Sequence, residues 1–552
     1  MDKIVELRTL DDEIVHHRGQ LSESKLASDF DLDKYELARA GKKQVLKRRF
    51  GLLSMTGLSC GLMCTWESLL VVFLIGFQNG GPAGLVYGFF LIWIGNLSVF
   101  IAIGELSSMI PTAGGQYHWV SLLAPQASKS FFSYMTGWIT VIGWIAGLTA
   151  ASYFVAELIL ALLTLNDETF KQTGWQGTLL LWAVLLLCVV INVFISGALP
   201  SIEVCVLIIH IVGWFGILIP LVYLTPSHNT AEEVFTTFYN QEGWSTIVLA
   251  FFIGLQGNAL AFVGTDSAVH MSEEVKNATV DVARSMMLSI IINGCLAFGM
   301  LFAVLFSIEN ETIVQISNQA STPFPFIDIF KASVGSKAGA TIMTCIIIVL
   351  EFCSALGSLA AASRMTWSFA RDRGLPFSRF ISVIDKKTTI PVVAILLVTS
   401  FSALLACINV GNSTAFNGII SLVLEGFYIS YLLAISLLLW RRLCGDIGSL
   451  ESTTPSSSSP TMSSESTRSH LSWGPWRLKG VWGVANNAVA CSYLILLIFF
   501  SFWPSETPVK PDRMNYAVLV TGFVVLFSIF YYLVWAKRKY TGPIVEVDLH
   551  TL

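Results

Sequence analysis

Six ionisable residues lie inside long apolar runs: Glu67, Glu157, His210, Asp266, Glu351 and Glu425. In hydrocarbon such a group costs a few kcal/mol and normally faces a cavity or a partner. A carboxylate so placed can grip an ammonium, exchange a proton, or pair with a polar group of another helix. An imidazole, with an unperturbed pKa near ~6.5, can carry a coupling proton or join two helices through one hydrogen bond. Glu67 and Asp266 stand apart because of their surroundings, Gly57 to Ser68 and Gly254 to Asp266, which are rich in Gly and small residues. Irregular backbone at membrane depth is tolerated only where protein or a water-filled cavity satisfies its amides and carbonyls. Two such breaks at matching positions point to the substrate site of an inverted-repeat transporter. Freed amides over Cys64, Thr65, Trp66 and Glu67 can take a carboxylate, and freed carbonyls over Phe262, Val263, Gly264 and Thr265 an ammonium, which is amino-acid recognition. Asp266 reads equally as substrate contact and as a prop for the unwound segment. Phe262 can close over a ligand, and Trp144, Tyr428 and Tyr431 can wall it or simply pack; around a quaternary amine such rings would form a cation box. Glu157, Glu351 and Glu425 lie outside the breaks and read as structural.

The elements that must position these residues are membrane helices. Of 552 residues, 54% are hydrophobic and 13% charged, with a mean hydropathy of +0.68, which excludes an ordinary soluble domain. A net charge of -4 with no basic domain gives no electrostatic reason to expect nucleic-acid binding. Ten scattered Cys without a CxxC indicate neither a disulfide framework nor a zinc site. Twelve apolar stretches are each long enough for the ~20 residues that cross about 30 Å of hydrocarbon. They run over 50–77, 84–108, 131–162, 177–198, 201–224, 246–270, 284–308, 339–363, 390–408, 415–440, 482–503 and 514–536. Of 33 Lys and Arg, 28 fall on the face that carries both termini, including 11 in the N-terminal tail, and that face is then cytosolic. The predicted fold is an all-α polytopic membrane protein. A tail over 1–49, mobile and without a cleavable signal peptide, precedes a transport core over 50–440. In that core spans one to five and six to ten form inverted repeats. An insert over 441–481 follows, disordered where Ser449 to Ser472 is Ser/Thr/Pro-rich, then spans eleven and twelve over 482–536 and a tail over 537–552.

Three motifs lie at the ends of these spans. Glu105 closes span two ahead of the turn Pro111-Thr112-Ala113-Gly114-Gly115, which is either a helix stop or a short re-entrant segment at a cytosolic gate. Glu273 and Glu274 follow span six and are either solvated or gate partners of the basic loop after span eight. In that loop Arg371-Asp372-Arg373 is either a gate or a topogenic charge cluster. The stretches Gly104 to Trp119, His270 to Glu274, Ser363-Arg364 and Phe369 to Pro376 together resemble the amino acid-polyamine-organocation transporters, within them the fungal amino acid/choline permease branch, over about Phe50 to Lys539. The resemblance implies a LeuT-type fold with two helices appended, alternating access, and ion-driven uptake of a small amine-bearing solute. On the family pattern His210 stands where several relatives carry a Lys at a sodium-site position. Glu67 stands where many have only Gly or Ser, and Asp266 where relatives often have Asn.

The function these observations favour is a secondary transporter importing an amino acid or related amine with protons, coupled through Glu67 or His210. A permease-like nutrient sensor is the alternative, against which the modest, low-complexity tails argue. HExxH is absent, which disfavours a zinc-protease type of enzyme, and no GxxxxGK[ST] loop supports ATP-driven transport. No cofactor or metal is expected. GABA, choline, a neutral or cyclic amino acid and a polyamine all remain open as substrates. The plasma membrane is the default location. Asn310, in the roomiest outer loop, is the expected glycan acceptor; Asn96 and Asn277 should stay bare, and Asn412 lies too near the membrane.

Overall fold

The computed structural model of the chain describes residues 25–167, 169–226, 228–307, 313–314, 324–411, 413–448, 471–504, 506–510 and 514–547. Asn310 and the middle of the Ser-rich insert lie outside them. Among the described residues ten helices are long and apolar enough to cross a membrane. They are Gly81–Met109, Lys129–Asn166, Gly174–Phe194, Ser196–Leu224, Ala278–Ser307, Lys337–Arg371, Val392–Gly411, Ser421–Leu443, Gly480–Ser501 and Ala517–Val534, and they form spans two to five and seven to twelve. Spans one and six complete the twelve in pieces. The first is Leu52–Met63, Thr65–Val71 and Phe73–Gln78; the second is Ile247–Leu260 and Ser267–His270. An even number of spans leaves both termini on one face.

The break in span one is a single residue, Cys64, in the left-handed region at φ 41° and ψ 49°. A side chain with a Cβ is costly there, so neighbours must hold it. The Cys64 thiol donates to the carbonyls of Gly61 (2.8 Å) and Leu350 (3.3 Å), and the next amide, Thr65 N, donates to Asn293 Oδ1 of span seven at 3.3 Å. A second interruption at Val72, not expected from composition, divides the outer half again. In span six the helix unwinds through Gly264, whose φ of +94° suits a residue without a Cβ. The Thr265 hydroxyl donates to the Met63 sulfur, so the two breaks face each other.

Span one is enclosed by spans five, seven and eight, and span three packs on spans eight and ten. Glycine permits the tightest approaches. A Cβ on Gly57 would meet the Glu203 carbonyl at 2.3 Å, and one on Gly426 would meet the Gly143 Cα at 2.6 Å. Two thirds (67%) of the apolar window of spans three and ten is buried within the protein, against 17% for span twelve, which places the last span at the rim; in the broken span one, Ser54 to Met63 are all buried.

The tails depart from expectation. Beyond the helix Lys25–Arg39, residues 41–50 are not a free tail: Lys42, Leu46 and Phe50 are buried, and Arg49 N and Phe50 N both donate to the Glu274 carbonyl. The polar turn after span six holds this segment: Gln44 Nε2 donates to the Glu273 carbonyl at 2.9 Å, and Asn277 N donates to Asp33 Oδ2 at 3.1 Å. At the other end Tyr540 is buried, its hydroxyl 2.7 Å from Ser133 Oγ, and Glu546 N donates to Gly41 O at 2.8 Å. The insert is also ordered at its edges: Ile447 and Gly448 pair in parallel with Leu471 and Ser472, and Trp476 N donates to Ser108 Oγ at 3.0 Å. All ten Cys are unbonded.

Candidate functional site

Between the two breaks lies a cavity of about 60 Å³. Leu62 and Met63 of span one, Val263 and Gly264 of span six, Trp144 and Phe154 of span three, Phe427 of span ten and Glu351, Ser354 and Ser358 of span eight line it. Ser68 and Val72 also reach it, from the half of span one remote from the termini. Of the residues the sequence proposes for substrate, Val263, Gly264 and the wall residue Trp144 are therefore at the cavity. The others are turned elsewhere. Cys64 and Thr65 are occupied by spans eight and seven as described. Trp66 packs beside the His210 ring (5.9 Å between centroids) and Phe262 against Phe89 (5.4 Å). Tyr428 donates to the Ala259 carbonyl at 3.4 Å, and Tyr431 lies beside Asp266.

Glu67 and His210, separated by 142 intervening residues, meet. Both are fully buried, with His210 Nδ1 2.7 Å from Glu67 Oε1. A carboxylate oxygen and an imidazole nitrogen at that distance hold one proton between them, whichever group carries it. Among the described residues Glu67 Oε2 and His210 Nε2 have no hydrogen-bond partner. Asp266 belongs to a separate cluster nearer the termini, accepting from Gln116 Nε2 at 2.7 Å and facing His270 Nε2 at 3.3 Å; His270 Nδ1 donates to the Ala113 carbonyl at 2.9 Å.

Buried ion pairs gather at the face that carries the termini. Arg371 clasps Glu273 with two nitrogens (2.6 and 3.0 Å) and lies over the Trp367 ring at 4.3 Å, while Ala113 N donates to the same carboxylate at 3.3 Å. Glu274 pairs not with the loop after span eight but with Arg364 inside that span, at 2.7 Å. Both acids are buried rather than solvated, and span eight extends to Arg371, eight residues past its expected end. Glu105 is not part of this assembly. Its carboxylate takes Arg442 Nη2 and Leu478 N, each at 2.7 Å, and so anchors the end of the insert to span two. Beyond Arg371, Asp372 collects Lys42, the Tyr117 hydroxyl (2.8 Å) and Ile544 N (2.9 Å). Burial lowers the pKa of Lys42, and Asp372 opposes that shift.

Sequence reasoning passed over Glu351, whose Oε1 accepts from Ser68 Oγ at 3.1 Å, and left Glu203 out altogether. Glu203 follows Pro200 at what reads as the mouth of a span; the helix instead begins at Leu199, and Glu203 is buried. Among the described residues no group of His, Cys, Asp and Glu could hold a metal ion.

Twelve spans, two of them broken around a shared cavity with buried ion pairs on one face, define a multi-pass membrane permease. A family model described as amino acid permease matches residues 50–524, and the chain belongs to that family, within the amino acid-polyamine-organocation superfamily. It is 30% identical to a Macrophomina phaseolina protein provisionally named an amino acid/polyamine transporter, over 84% of this chain and 96% of that one. It is 28% identical to the choline transporter of Saccharomyces cerevisiae, over 95% of this chain and 88% of the relative. It is also 28% identical to the GABA-specific permease of that yeast, over 94% and 86%. The chain is thus a transporter of amino acids or amines and not an enzyme.

Proposed function

We propose that this protein is a secondary active importer that carries an amino acid or small amine together with a proton by alternating access. The observation that carries the reading is the buried Glu67–His210 pair, half satisfied and set beside the break in span one. Substrate enters the cavity between the breaks from the face remote from the termini, while Glu273–Arg371 and Glu274–Arg364 bar the other side. The excess of Lys and Arg on the termini face makes that face cytosolic, and the plasma membrane is the location in which such an importer works. The relatives' names bring choline and GABA into the substrate range.

The test is uptake of labelled choline, GABA and neutral amino acids into proteoliposomes that contain only this protein, with and without an imposed pH gradient. Uptake is expected to rise with an inward proton gradient and to collapse with a protonophore. Uptake indifferent to the gradient removes proton coupling, and no uptake of any probe leaves the sensor reading in its place.

A further inference from the structure

The half-helix Thr65–Val71 carries two adjacent polar side chains that go to different neighbours. Glu67 turns to span five and meets His210, away from the cavity. Ser68 turns to span eight, where its hydroxyl holds Glu351 Oε1 at 3.1 Å, and both residues line the cavity. Glu351 is the one ionisable group among the described residues lining that cavity, and it is 2% exposed. The walls around it are the rings of Trp144, Phe154 and Phe427 and the backbone of the two breaks. No basic side chain is among them.

This charge inventory selects a ligand. A carboxylate in an apolar, aromatic-walled site is costly alone and is compensated by a cation, which the rings also attract. A ligand's own carboxylate finds no counterion there, and the Thr65 amide is already taken by Asn293. We infer that Glu351, held by Ser68, is the carboxylate that receives the substrate's ammonium, that Glu67 is kept for the proton, and that the preferred substrate is a small organic ammonium without a carboxylate. This rests on the transporter reading above and narrows its substrate class. It also gives the half-helix a role. One turn of helix touches the proton pair through Glu67 and the substrate site through Ser68, so a movement that fits Ser68 and Glu351 to a ligand bears on Glu67 and His210.

The test uses the full chain with choline and GABA, an ammonium without and with a carboxylate. Binding is read by scintillation proximity on purified protein, and transport in proteoliposomes. Wild type is expected to bind and transport choline in preference to GABA. Glu351→Gln keeps the side-chain shape and an acceptor for Ser68 but loses the charge, and is expected to weaken choline binding roughly ten- to a hundredfold through KM. Glu351→Asp, which restores the charge, should recover part of the loss, as a merely structural role of the side chain would not require. A monodisperse Glu351→Gln protein that binds choline like wild type, or a wild type that prefers GABA or binds neither probe, overturns the inference. Choline binding that depends on Glu351 without any transport supports it while removing the transporter reading.

Discussion

Glu67 and His210 can be tested one atom at a time. If the pair holds the coupling proton, Glu67→Gln and His210→Asn should each reduce accumulation against a pH gradient to simple equilibration while substrate exchange, which needs no net proton movement, continues. Counterflow beside gradient-driven uptake measures both, and wild-type accumulation in both variants removes the assignment. Gly264 gives a second test at this scale. At φ +94° an L side chain costs about 1 kcal/mol or more, and a Cβ there would stand 2.2 Å from Leu62 Cδ2 at the cavity wall. Gly264→Leu should therefore abolish uptake in protein that still reaches the membrane, as surface labelling would report. The residues of this site were unevenly legible. Glu67 and His210 were found because a charge in an apolar run is conspicuous in any sequence. Their contact was not, because nothing in either span says which face turns to the other. Glu351 has equally plain surroundings in the sequence, and only the packing of span eight against the break turns it toward the cavity.

The elements were easier to read than their contacts. Apolar length predicts all twelve spans, since each must cross the same thickness of hydrocarbon, and Gly-rich composition picks out the two that break. It cannot say where a helix that continues past the bilayer will stop, which is why span eight carries Arg364 and Arg371 within it rather than in a loop. Those two arginines pair with Glu274 and Glu273 on the termini face. Removing one partner of a buried ion pair costs about 3–5 kcal/mol, and the pair with Glu273 bridges span eight to the end of span six. Arg371→Gln is expected to open that face, read as faster labelling of a Ser363→Cys probe by an impermeant thiol reagent applied from the side of the termini. Unchanged labelling would place the seal elsewhere. Spans three and ten supply a stability test. A Cβ on Gly426 meets Gly143 Cα at 2.6 Å, and overpacking of this kind costs about 1–3 kcal/mol, so Gly426→Val should lower the melting temperature in detergent.

For the molecule as a whole, the excess of Lys and Arg on the termini face predicts that the termini are cytosolic, and chemical modification can decide it. A glycan removable by glycosidase on Asn277, which lies on the termini face, would invert the topology. What composition could not foresee is that the two ends of the chain are joined there. Charged, polar sequence at a terminus reads as solvated, yet Lys42, Asp372, Ile544 and Glu546 converge beneath the ion-paired gate, and Tyr540 packs on Tyr134 and Phe369. A chain ending at Lys539 should label faster at the Ser363→Cys probe than the full chain. This junction also bears on biosynthesis. Residues 540–547 follow span twelve and leave the ribosome after it, so a nascent chain acquires its cavity before these contacts. A message ending before codon 540 would yield a protein whose twelve spans insert while Asp372 and Gly41 lack the segment that bonds to them.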